Sequence, residues 1–152
     1  RSKIVLETDP NGIHTHGDGL IHVHPFNKLA SGRDAVLGEF FTAFGGFIDD
    51  QSFMLDTGET VVEGFDCGGE PTVLKVARFD ADDLSREPEI LTEDLANVRL
   101  LKNREAFTIA MVPDSVDPPA PRPERLSFLD TVDPNILRSD SPTLATTTTT
   151  AD

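Results

Sequence analysis

Gly12-Ile13-His14-Thr15-His16-Gly17-Asp18-Gly19-Leu20-Ile21-His22-Val23-His24-Pro25 holds every histidine of the chain, as two His-x-His pairs about Gly17-Asp18-Gly19. Alternation on both sides predicts two strands, and the Gly-Asp-Gly predicts the turn between them. A three-residue loop with glycine in the left-handed conformation sets His16 opposite Leu20, His14 opposite His22 and Gly12 opposite His24. Side chains alternate along a strand, so this register puts all four imidazoles on one face. Ile13, Thr15, Ile21 and Val23 take the other face, which suits a core. A four-residue loop would mix imidazoles with Ile21 and Val23 on one side, an arrangement that a one-sided sheet resists.

The helix that should cover this apolar face follows at once. Over Asp34 to Phe44, Val36, Leu37, Phe40, Phe41 and Phe44 recur at three- and four-residue spacing. Gly45-Gly46 ends the helix, and Ser31 or Asp34 is the expected cap. Short strands follow around Phe47–Leu55 and Thr60–Phe65. Thr72–Phe79 is the most regular strand, with Val73, Lys75, Ala77 and Phe79 alternating against Leu74, Val76 and Arg78. A last hairpin is expected from Val98–Leu101 and Ala106–Val112. A hairpin followed directly by a helix, then by further short strands, predicts a β-grasp-like α+β domain. A small β-sandwich or barrel with one helix is the alternative.

The globular domain is expected to span residues 1–113. Seven of the eleven prolines lie from Pro113 onward, so 114–142 reads as an extended Pro-rich segment in which Leu126, Phe128, Leu129 and Val132 could dock back as one amphipathic turn. Residues 143–152 read as a threonine-rich disordered tail.

The chain carries 13 Lys+Arg against 27 Asp+Glu, a formal charge of −14. Such a surface repels phosphate backbones and anionic membranes, which argues against nucleic acid as a partner. No apolar run is long enough to span a bilayer, so no direct membrane insertion is expected. The sequence begins at Arg1 rather than Met, and a segment is expected to precede it. Cys67 is the lone cysteine, so an intrachain disulfide is excluded.

The histidines carry the chemistry. His14 opposite His22, with His16 or His24 diagonal, would bring two or three imidazole nitrogens to one ion, and imidazole suits zinc, copper and nickel. The candidate metal ligands are therefore His14, His16, His22 and His24. Asp18 is read as holding the turn, and Glu7 as a candidate ligand from outside the hairpin. The alternative reading is a polar or pH-sensitive face belonging to an interface. No nucleophile motif, phosphate loop or dinucleotide fingerprint is present, and no catalytic or cofactor-binding residue is assigned. Asp49-Asp50 and Asp80-Ala81-Asp82-Asp83 read as acidic turns, the latter lacking the glycine and terminal glutamate of a calcium loop.

The stretch Gly12 to Phe26, with Cys67-Gly68-Gly69-Glu70-Pro71 and Ala106 to Pro113, resembles the hallmark segments of a group of uncharacterised actinobacterial proteins with one membrane anchor. In that group an anchor and a further cysteine-containing segment tend to precede the histidine hairpin. The resemblance implies an extracytoplasmic setting, in the cell envelope or secreted, and a membrane-protein or cell-surface partner. Together these readings predict a non-enzymatic, extracytoplasmic accessory domain binding a divalent transition metal (Zn, Cu or Ni) through the hairpin. The alternatives are an interaction subunit of a membrane or cell-surface assembly, and a metal-dependent enzyme.

Overall fold

The structure, a computed structural model, describes residues 12–15, 17, 19–24 and 28–131. Strands β1 (Ile13–His14) and β2 (His22–Val23) pair antiparallel with Ile13 opposite Val23 and His14 opposite His22. The His24 N–H donates to the Gly12 carbonyl at 2.7 Å, which extends the same register. Gly17 and Gly19 both have positive φ, 77° and 85°, as a tight loop closing this register requires. His16 and Asp18 lie outside the described residues. The expected register is thus observed at its outer pairs.

Helix α1 spans Leu37–Ala43 and is shorter at its start than its apolar spacing predicts. Neither Ser31 nor Asp34 caps it. Val36 is the extended residue at the N-cap, and no side chain caps that end. The cause is long-range pairing. Val36 forms an antiparallel bridge with Arg99, the Leu37 N–H donates to the Val98 carbonyl, and the Leu100 N–H donates to the Ala35 carbonyl. This ladder holds Ala35 and Val36 extended and satisfies one of the donors left open at a helix start. The other end follows the sequence. The Gly45 N–H bonds the Thr42 carbonyl and the Gly46 N–H bonds the Phe41 carbonyl, with Gly45 at φ 82°. This pair of bonds is a Schellman closure.

Strands β3 (Phe47–Ile48), β4 (Ser52–Met54) and β5 (Thr60–Val62) form a three-stranded antiparallel sheet. A second sheet is built on β7 (Glu70–Asp80), which pairs with β6 (Asp66–Cys67), β8 (Glu89–Leu91) and β9 (Glu105–Pro113). The β7–β9 ladder runs from Thr72 opposite Pro113 to Asp80 opposite Glu105. Here the structure departs from the expected last hairpin. Val98–Leu100 does not pair with β9; it runs beside the start of α1, while β9 takes β7 as its partner.

All described strand pairs are antiparallel and helices are few, so the fold is α+β. The main core lies between α1 and β7. Leu37, Phe41, Ile48, Leu74, Val76, Leu95 and Val98 are buried there, with Ile21 and Phe40 at its margin. The hairpin closes a smaller cluster of Ile13, Ala30 and Ala35, joined by Ile21, Val23 and Phe40. The apolar face of the hairpin therefore meets the helix, as its pattern predicts, but through Phe40 rather than through the whole helical stripe.

The opposite face of β7 is covered too. Ala77, Phe79 and Ala106 are buried there, with Leu126 of α2 (Pro123–Leu126) against them; α3 (Phe128–Thr131) follows. The chain reaches this face as a strap after Pro113. Lys75, with a side chain only 5% exposed, donates from Nζ to the Asp114 carbonyl at 2.7 Å and pairs with Asp114 and Asp117. Thr108 Oγ1 donates to the Pro119 carbonyl at 2.8 Å. Lys75→Met keeps the stem of the side chain and removes the bond. It is expected to cost about 1.5 kcal/mol, the lower range for a bond from a charged donor. It should also expose 114–122 to limited proteolysis; unchanged cleavage would show that the anchor does not hold the strap.

Candidate functional site

The hairpin places three imidazoles on one face. The ring of His14 stacks on His22 with centroids 5.5 Å apart and planes at 15°, and on His24 with centroids 5.1 Å apart and planes at 3°. His14 is the middle ring, opposite His22 in register and diagonal to His24. Behind it Ile13 is fully buried. The apolar residues of the hairpin thus fix the backbone, and the period of two turns the histidines outward. His16, the fourth candidate, lies outside the described residues, as do Asp18 and Glu7.

The stacking has a chemical consequence. A ligating lone pair lies in the plane of its imidazole ring. Stacked, nearly parallel rings do not aim their lone pairs at one point. Among the described residues no group of three or more His, Cys, Asp or Glu stands ready to hold an ion. Gathering an ion requires rotation about χ2, a broad and soft torsion for histidine, and no change of backbone register.

Beside the hairpin lies a cleft of about 680 Å³. Residues 19–23, the start of β9 with the turn before it, and the α2–α3 segment form its walls. His22 borders both the cleft and the imidazole face. Lys102 and Arg104 stand in the cleft wall. Lys102 Nζ donates to Asp80 at 3.2 Å, and this bond holds the Asp80 carboxyl below its ordinary value, helped by the Asp82 N–H. Arg104 bonds Asp82 and pairs with Asp130 at 3.0 Å; Asp82 first, then Asp130, raises its pKa further. Outside the lining, Arg78 bonds Glu89, donates to the Arg99 carbonyl at 2.7 Å and lies over the ring of Phe107, a lining residue, at 5.7 Å.

The other candidates resolve into structure. Asp49 accepts from the N–H groups of Gln51 and Ser52 at 2.9 and 2.7 Å, and the Gln51 bond leads in lowering its pKa. Asp50 accepts from the Leu95 N–H at 2.9 Å, tying the β3–β4 turn to the core. Asp80 accepts from the Asp82 N–H at 3.1 Å, and Asp83 from Ser85. These carboxylates hold turns. Cys67 is an exposed free thiol opposite Glu70. Sequence reading missed the cleft, because its walls come from three distant segments; the basic pair in Lys102-Asn103-Arg104, within so acidic a chain, was the available signal.

Among the described residues no helix is long and apolar enough to cross a membrane. Comparison with protein-family models, with curated proteins and with solved structures returns no match.

Proposed function

We propose that the chain is a non-enzymatic, extracytoplasmic accessory domain whose histidine hairpin binds a divalent transition metal. The supporting observation is the gathering of His14, His22 and His24 on one face, with ring centroids 5.1 and 5.5 Å from the middle ring. A chain with four histidines places three of them side by side, on a backbone anchored by a fully buried Ile13. Zinc, copper and nickel suit such a donor set. His16 would complete it.

Calorimetric titration of the untagged chain with each of the three metals tests the reading. Binding tighter than millimolar is expected, and it should weaken as pH falls, because protons compete for the ligating nitrogens. His14→Ala removes the ring adjacent to both others and should lower affinity more than about tenfold. Asp18→Asn should have the smaller effect. Equal losses for the two variants would contradict the assignment.

A second reading, an interaction subunit of a membrane or cell-surface assembly, is favoured by the outer face of the three-stranded sheet. Phe47 and Met54 are paired there, and Phe47 and Val62 remain 37% and 55% exposed. Under that reading changes at Phe47 and Val62 would weaken capture of the partner while the chain takes up no metal.

A further inference from the structure

The cleft beside the hairpin carries a chemistry that the histidine face does not use. Its volume, about 680 Å³, lies within the range of small-molecule sites. Leu20, Leu101, Leu126 and Leu129 give it apolar walls from both sides. Among the described residues three basic ones line it, in a chain of charge −14: Lys102, Arg104 and Arg125. Among the described residues the carboxylate in the lining is Glu105, and it faces inward. Its side chain is 4% exposed, and its Oε2 accepts the Leu101 N–H at 2.8 Å. Lys102 and Arg104 are held by Asp80, Asp82 and Asp130. Arg125 has no carboxylate partner among the described residues.

We propose that this cleft binds a small amphipathic carboxylate, its aliphatic tail between the leucines and its head on Arg125. A guanidinium presents two parallel donors that match a carboxylate. With Lys102 and Arg104 already neutralised, Arg125 is the one cation of the lining left without a carboxylate among the described residues, and a single such cation suits a monoanion. A dianionic phosphate would meet the acidic partners of both and the repulsion of the whole chain. The inference does not depend on metal binding by the hairpin.

Titration of the full chain with decanoate, below its micelle concentration and in a chelating buffer, tests it. Saturable one-to-one binding is expected, with chemical-shift changes confined to residues around Leu20, Leu101, Leu126 and Leu129. Acetate, which keeps the head, and decanol, which keeps the tail, should each bind at least about tenfold more weakly. Arg125→Ala, at an exposed position that leaves the core intact, should weaken decanoate about tenfold or more, the range for a bond to a charged group. Arg125→Lys should recover part of the loss. Decanol binding as tightly as decanoate would overturn the proposal. So would an Arg125→Ala chain that binds unchanged, shift changes elsewhere in the fold, or an absence of saturable binding.

Discussion

Phe41→Ala is expected to remove about 3–5 kcal/mol of stability, the range for truncating a buried phenylalanine. Phe41 is 3% exposed and sits where the helix meets both sheets. Its ring lies 5.9 Å from Phe40, 5.2 Å from Phe44 and 6.4 Å from Phe53, centroid to centroid. Removing it leaves a cavity lined by aromatic rings that the anchored helix cannot collapse to fill. Domains of this size are stable by roughly 5–15 kcal/mol, so the loss consumes a large share. Denaturant unfolding measures it. Phe47→Ala, on the half-open outer face, should change stability by less than about 0.5 kcal/mol. Similar losses at the two positions would contradict the core as described.

The second large effect is expected at Gly46. A Cβ there would lie 2.2 Å from the Met54 carbonyl oxygen and 2.7 Å from the Phe44 ring. The obstacle is backbone of β4, which cannot swing aside, so Gly46→Ala must push α1 away from the three-stranded sheet. A loss of about 3 kcal/mol is expected, near the upper range for overfilling. Gly45→Ala is the control. Gly45 has φ 82° but open space at its Cβ, so it carries only a backbone penalty of about 1 kcal/mol. The two melting curves should therefore separate, with Gly46→Ala the lower. A neutral Gly46→Ala would mean that the helix end and the sheet are not in contact.

The hairpin and the end of α1 were legible in the sequence because local chemistry decides them. Gly17 and Gly19 take positive φ, the alternation on either side fixes which residues face inward, and Gly45-Gly46 closes the helix. What was not legible depends on distant partners. Ala35 and Val36 carry a helical pattern but are drawn into extended pairing with the 98–100 segment. Periodicity identified β7 and β9 as strands and could not show that they pair with each other. The Pro-rich composition after Pro113 predicted extended chain, yet Lys75 and Thr108, far upstream, decide where it lies. At the candidate site, register could place His14 opposite His22 but not the torsions that leave the rings stacked.

Metal binding at the hairpin requires the three stacked rings to rotate onto one ion. Ring-nitrogen resonances of His14, His22 and His24, followed by nuclear magnetic resonance while zinc is added to the untagged chain, test this most directly. All three are expected to move together and saturate at one equivalent, with backbone resonances of Ile13 and Val23 little changed. Ring signals that stay fixed, or that respond separately and only to excess metal, would contradict such binding.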